Sequence, residues 1–181
     1  MKTLIIAILT ILTFGFVTPK NETVFIGKVT TSNENKDNII GLYIEFRIDT
    51  LVIARNCIQQ DGTFKISATS DKEFDIYYRG IGVNDTYVQT IKPTDQDTVL
   101  LTFQIPKDYK KNLGKVVCPK CNKHDQTIPI IYGLKTIIVY ENDPQPYTTY
   151  EGFGKEEIYD GGCSSSGFDA QWYCKRDKIK F

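Results

Sequence analysis

The sequence predicts an all-β protein that consists of an antiparallel seven-stranded β-sandwich and a small β-rich C-terminal module bearing cysteines. Between residues 24 and 106, apolar residues recur at every second position in short segments, which is the period of a strand with one buried face. Glycine- and aspartate-containing turn signals separate these segments. Four of the five cysteines follow residue 117, so the last third of the chain has a different character.

Residues 1–18 are predicted to be a signal peptide. Lys2 precedes an uncharged apolar run from Leu4 to Val17, and this layout is typical of secretory signals. The run is shorter than the ~20 residues that a membrane-spanning helix needs. A retained N-terminal anchor is the alternative. We therefore expect a secreted, periplasmic or cell-envelope protein with no stable membrane insertion after cleavage.

The charge balance argues against one class of partner. The chain has 22 basic and 22 acidic residues, and its formal net charge at pH 7 is zero. A nucleic-acid-binding protein needs a basic surface to neutralise phosphates, so we expect no nucleic-acid partner. The expected partner is a protein or a carbohydrate, which the sequence does not identify.

The strands of the predicted sandwich follow in order through residues 24–106. The segment 42–48 alternates apolar with polar residues, and further strands are predicted at 51–55, 64–68, 74–78 and 98–105. Asp61-Gly62 and Gly80-Ile81-Gly82 provide turn signals between them. Glu45 and Lys65 are expected on solvent-facing sides. The expected core residues are Ile44, Phe46, Phe64, Ile66, Phe74, Ile76, Leu101 and Phe103.

Three short motifs in this region resemble a known family. They are Phe25-Ile26-Gly27-Lys28-Val29, Gly41-Leu42-Tyr43-Ile44 and Gln60-Asp61-Gly62-Thr63-Phe64-Lys65-Ile66. They are similar to the signposts of the carboxypeptidase regulatory-like, transthyretin-like β-sandwich. Members of that family are mostly accessory, cell-surface or export-linked modules without an active site of their own. The resemblance therefore implies a binding or spacer role.

A charged, glycine-containing stretch at residues 106–114 predicts the boundary of a C-terminal module that spans residues 114–181. Strands are predicted there at 127–132 and 136–140. Cys118 and Cys121 form a Cys-x-x-Cys pair, and a second pair brought alongside from a distant part of the chain would complete a structural zinc site. Structural disulfides and thiol redox chemistry are the alternatives. Residues 122–129 make a poor helix start, which counts against the redox alternative.

The tail is also similar to a small bacterial zinc-ribbon-like module. The matching residues are Cys118-Pro119-Lys120-Cys121, Asp125, Pro129-Ile130-Ile131-Tyr132-Gly133, Gly161-Gly162-Cys163 and Trp172-Tyr173-Cys174. Asp177 stands where that pattern has the second cysteine of its closing pair. The predicted metal ligands are Cys118, Cys121, Cys163 and Cys174, converging on one spot beside Gly161-Gly162, with Asp177 or His124 nearby.

No catalytic assembly is indicated. His124 is the single histidine, so no second histidine is present to serve as the base of a nucleophilic serine. Cys57 is expected to be a buried or unpaired thiol without a chemical role. The sequence favours an exported, non-enzymatic interaction or structural protein with a zinc or disulfide site. The alternative is a thiol-disulfide exchange protein that uses Cys118 and Cys121.

Overall fold

The structure is a computed structural model that describes residues 22–31, 39–69, 72–133, 147–150, 156–163 and 165–181. In these ranges the chain forms fourteen strands and no α-helix, which confirms the predicted all-β class. Accordingly, the described residues contain no helix of the length and apolarity that a membrane crossing requires. The predicted signal peptide (1–18) and the predicted strand at 136–140 lie outside the described residues.

Seven strands form two N-terminal sheets with the orders β4-β1-β7 and β3-β2-β5-β6. Their bounds are β1 (Thr23–Thr31), β2 (Leu42–Ile48), β3 (Leu51–Cys57), β4 (Thr63–Ala68), β5 (Phe74–Gly80), β6 (Val83–Ile91) and β7 (Thr98–Ile105). Neighbouring strands are antiparallel except β1 and β7, which are parallel. This pair departs from the predicted antiparallel arrangement because β7 follows β6 of the other sheet and is not joined to β1 by a hairpin.

The two N-terminal sheets share one hydrophobic core. Phe25 of β1 packs edge-on against Phe46 and Phe74 of the other sheet, with ring centroids 5.0 and 5.4 Å away. All eight predicted core residues are at most 7% exposed, which confirms that part of the prediction. Burial of an aromatic or branched side chain of this size contributes about 1.5–3 kcal/mol, so this cluster is the main source of stability in this half of the protein.

The C-terminal residues form a two-stranded hairpin and a five-stranded sheet. The hairpin joins β8 (Lys111–Asn112) to β9 (Lys115–Val116). The sheet has the order β11-β12-β10-β13-β14, and within it β10 and β12 are parallel. The bounds of its strands are β10 (Thr127–Ile131), β11 (Tyr147–Tyr150), β12 (Glu156–Asp160), β13 (Trp172–Cys174) and β14 (Ile179–Lys180).

The C-terminal module packs against the outer face of the sheet β3-β2-β5-β6. Tyr77 and Tyr87 lie opposite each other on this face, with their rings 5.7 Å apart, and both belong to a second apolar cluster. The other buried members come from the C-terminal part of the chain: Val116, Cys118, Cys174, Ile179 and Phe181. The outer face of this sheet is therefore an internal contact surface.

Glu45 was expected to face solvent, and this prediction is wrong. It is on the outer face, as the alternation predicts, but it is only 1% exposed. Its carboxylate accepts a hydrogen bond from Arg47 Nε at 3.0 Å, and the Arg47 guanidinium lies 4.5 Å from the centre of the Tyr77 ring. Lys65, in contrast, is exposed as predicted. Arg47, two residues away on the same strand, therefore supplies the counter-charge for the buried carboxylate of Glu45.

Candidate metal centre

Two turns with the same local structure carry the candidate ligands. The first, residues 118–121, follows the hairpin β8–β9, and the second, residues 174–177, begins at the end of β13. Each is followed by a residue in the left-handed region, Asn122 with φ of 57° and Lys178 with φ of 54°. Non-glycine residues adopt this conformation infrequently. Its recurrence at the same position makes Asp177 the structural counterpart of Cys121.

Backbone N–H groups point at the first sulfur of each turn. Cys118 Sγ accepts hydrogen bonds from the N–H groups of Lys120 and Cys121. Cys174 Sγ accepts them in the same way from the N–H groups of residues 176 and 177. Such hydrogen bonds stabilise a thiolate relative to a thiol, so both turns are built to support a negatively charged sulfur.

Four ligand atoms converge between the turns. Those of Cys118, Cys121, Cys174 and Asp177 all lie within 4.8 Å of one another. Asp177 Oδ2 is 3.1 Å from Cys118 Sγ and 3.3 Å from Cys174 Sγ, and Cys121 Sγ is 3.9 Å from Cys174 Sγ. A tetrahedral ion with metal–sulfur bonds of about 2.3 Å separates two sulfurs by roughly 3.8 Å and a sulfur from an oxygen by roughly 3.5 Å. The group therefore has the size and donor set to hold a metal ion.

None of the five cysteines is disulfide-bonded. The 3.9 Å between Cys121 Sγ and Cys174 Sγ is about twice the length of a disulfide bond. Of the predicted alternatives for these cysteines, the structure has the geometry of a metal site and not of covalent pairs.

Burial controls the protonation of the group. It raises the pKa of the Cys118 and Cys174 thiols above the ordinary value, against the opposing effect of the backbone N–H groups. Burial also acts to raise the pKa of Asp177, but hydrogen bonds from Cys121, Cys118 and Cys174 outweigh it, so this pKa is lowered. Without a cation the Cys118 and Cys174 thiols are thus protonated and donate to the Asp177 carboxylate. A bound metal would replace these protons.

Cys163, the remaining predicted ligand, is exposed and lies outside this group. The N–H of Gly133 donates to the carbonyl of Gly162 at 2.8 Å, which holds the residues before Cys163 at the C-terminal end of β10. Cys174 instead pairs with Thr127, where β10 begins. Four strand residues span roughly 13 Å, so the two cysteines are at opposite ends of the sheet. In the candidate ligand set, Asp177 replaces Cys163.

The structure also locates His124 and Cys57, the other two residues considered from the sequence. His124 is half-buried and is not among the converging ligand atoms, so Asp177 and not His124 joins the cysteines. Cys57 ends β3 and is exposed. It is a free thiol and is not among the converging ligand atoms.

A polar network that sequence reasoning missed fixes the first turn to the sheet. Lys120 Nζ donates to Asp75 Oδ2 at 2.6 Å, and Asp75 is 7% exposed. The second oxygen of Asp75 accepts from Thr90 Oγ1 at 2.7 Å, which is also bonded to the Tyr87 hydroxyl at 2.8 Å. In the sequence, Asp75 is merely a polar residue on the expected solvent face. No local pattern shows that a lysine of the Cys-x-x-Cys turn covers it.

Comparison with known proteins gives no relative from which to transfer a function. No family model matches the chain, and no curated protein matches it. Among solved structures, it is similar to a 9R-lipoxygenase from Cyanothece PCC8801, with a TM-score of 0.32 and 16% identity. The similarity covers 56% of this chain and 19% of the lipoxygenase chain. A similarity this weak indicates neither a fold nor a function for this chain. The resemblances to transthyretin-like and zinc-ribbon-like modules stay predictions.

Proposed function

We propose that this chain is an exported, non-enzymatic interaction or structural protein whose C-terminal module is held in place by a structural zinc ion. The proposed ligands are Cys118, Cys121, Cys174 and Asp177. The observation that carries the proposal is the convergence of two equivalent turns, with Cys118 and Asp177 separated by 59 residues of sequence, on ligand atoms within 4.8 Å of one another.

The donor set favours zinc. Zinc binds cysteine sulfur and aspartate oxygen in a tetrahedral arrangement, whereas calcium and magnesium require oxygen ligands almost throughout. Four protein ligands complete the tetrahedron, and a closed site of this kind is structural. A catalytic site normally keeps one position for water or substrate. Cys118 at 0% exposure and Cys174 at 1% fit a site within a packed interface.

Thiol-disulfide exchange is less well supported. An exchange reaction needs an accessible thiol with a lowered pKa. Cys118 is buried, and its pKa is raised by that burial. An insulin-reduction assay of the reduced protein is expected to show no turnover. Catalysed reduction that depends on Cys118 and Cys121 would instead favour the exchange function.

Export and an interaction role are supported by the sequence. The apolar run from Leu4 to Val17 after Lys2 favours export, and the resemblance of residues 24–106 to accessory β-sandwich modules favours binding of a protein or a carbohydrate. Isolation of the protein from the extracellular or envelope fraction, with the N-terminal residue determined, tests export directly. Recovery of the intact N-terminus from the cytoplasm would contradict it.

The zinc site is tested by metal analysis of the full-length protein. We expect about one zinc per chain, lost together with the structure of the tail on chelation. Trp172 is the single tryptophan and packs against the cluster that contains Cys118 and Cys174, so its fluorescence reports on that loss. Cys118→Ser should abolish zinc binding, and Cys163→Ser is the matched control that should retain it. A metal-free wild-type protein, or equal zinc loss in the two variants, would refute the assignment.

A further inference from the structure

The four proposed zinc ligands differ in their access to solvent. Cys118 and Cys174 are fully buried, whereas Cys121 and Asp177 are half-buried. Asp177 also lines a cleft of about 620 Å³ between the outer face of the sheet β3-β2-β5-β6 and the turn that leads into β14, and none of the three cysteines lines it. A molecule in this cleft would approach the metal from the side of its oxygen ligand.

The lining of the cleft has a small excess of positive charge around Asp177. Its basic residues are Arg47, Arg79, Lys120, Lys178 and Lys180, against Asp49, Asp75 and Asp85 besides Asp177. Arg47 is ion-paired with Glu45 and Asp85, and Lys120 with Asp75, whereas Lys178 is exposed and follows Asp177 directly in the sequence. The Lys120 ammonium already stabilises the Asp177 carboxylate electrostatically. An incoming carboxylate would therefore find cationic groups around the position that Asp177 occupies, and Asp177 would keep a cationic neighbour after leaving the metal.

The local structure allows Asp177 to leave without unfolding its turn. The turn is fixed by backbone hydrogen bonds from residues 176 and 177 to Cys174 Sγ, and these do not involve the Asp177 side chain. Rotation of the Asp177 side chain would therefore withdraw the carboxylate without breaking these backbone hydrogen bonds. Zinc also holds thiolates well in sulfur-rich sites, so the single oxygen ligand is the one whose replacement disturbs the site least.

We propose that Asp177 is the exchangeable ligand of this site and that a small carboxylate entering through the cleft takes its place on the metal. One metal–oxygen bond to Asp177 breaks and one metal–oxygen bond to the incoming carboxylate forms. The charge around the metal and its oxidation state are unchanged. This inference rests on the proposed zinc site, and it adds a binding function to an otherwise structural ion.

The experiment uses the full-length protein with cobalt(II) in place of zinc, because the visible spectrum of cobalt reports on its ligands. Acetate is the probe. We expect a saturable spectral change with the wild-type protein. Asp177→Cys supplies a fourth thiolate and should keep cobalt while losing the response to acetate. Asp177→Ala leaves three thiolates, and its response should saturate at a lower acetate concentration than that of the wild type.

The outcomes separate this inference from the zinc site itself. If the wild-type protein binds no cobalt through thiolates, the proposed site fails. If cobalt binds but acetate leaves the wild-type spectrum unchanged, the exchange proposal is overturned while the site stands. The exchange proposal is also overturned if acetate changes the cobalt spectrum of Asp177→Ala but not that of the wild type, because acetate then does not displace Asp177. An equal response from Asp177→Cys would also overturn it, since acetate would be binding elsewhere.

Discussion

Replacement of Phe181 by alanine is expected to destabilise the protein by about 3–5 kcal/mol, the cost of deleting a fully buried aromatic ring. Phe181 is 0% exposed, and its ring meets that of Tyr109 edge-on with centroids 5.1 Å apart. Its backbone N–H donates to the carbonyl of Trp172 at 2.9 Å, and alanine preserves this bond. The loss therefore measures the packing of the ring alone, including about 0.5–1.5 kcal/mol for the aromatic pair.

The assay is equilibrium urea unfolding of the zinc-loaded, full-length protein, followed by the fluorescence of Trp172. Leu113→Ala is the control, because Leu113 is 91% exposed and its truncation should change the free energy of unfolding by no more than about 0.5 kcal/mol. If the proposed zinc site is correct, folding of the tail and zinc binding are coupled, and Phe181→Ala should also weaken zinc binding, by roughly 100-fold for 3 kcal/mol. A loss of stability below about 1 kcal/mol would refute the packing described here.

Two further substitutions test other parts of the fold by the same urea assay. Arg47→Met should cost about 3–5 kcal/mol because it leaves the buried carboxylate of Glu45 without its guanidinium, and the double variant with Glu45→Gln should recover part of that. If the double variant regains no stability, loss of the ion pair is not the cause of the destabilisation. Gly62 has φ of +83°, and a Cβ there would lie 2.3 Å from the carbonyl oxygen of Val29. Gly62→Ala should therefore cost more than Gly114→Ala, whose φ of +79° is similar but whose surroundings are open. Gly114→Ala should lower the free energy of unfolding by about 1–2 kcal/mol. Equal losses would contradict the steric argument.

The core of the N-terminal sheets could be predicted from the sequence because strand side chains alternate with a period of two. Ile44 and Phe46 face the interior for this reason, and both are fully buried. The same period places Glu45 on the opposite face but does not show what covers that face. Tyr77 and Tyr87 on that face pack against C-terminal residues far away in the sequence, and no local pattern encodes this contact.

The candidate site could be predicted only in part for a related reason. Cys118 and Cys121 were found because cysteine at Cys-x-x-Cys spacing is a strong ligand signal, and Cys174 was found because it matches the zinc-ribbon-like pattern. Whether Cys163 or Asp177 completes the set depends on the register of β10, β12 and β13. Gly161 was expected to lie beside the sulfur cluster, but a Cβ there would lie 2.5 Å from the Tyr132 ring. The glycine therefore makes room for an aromatic ring.

The apolar clusters of the tail suggest what the proposed metal does for the fold. Among the described residues, the cluster within the C-terminal sheet has four buried members, namely Ile128, Ile130, Ala170 and Tyr173. Small modules ordinarily gain stability from a metal or disulfides. The second cluster includes Tyr87 of the N-terminal sheet together with Cys118 and Cys174, so the metal turns form one part of the contact between the two halves. Phe168 and Asp169 form another part, because they contact Tyr78 and Asn84 of the N-terminal sheets. Loss of zinc should therefore loosen the tail where the turns cover Tyr77 and Tyr87. If so, chelation and Phe181→Ala should expose the same face, and amide hydrogen exchange should show increased exchange around Tyr77 and Tyr87 in both cases.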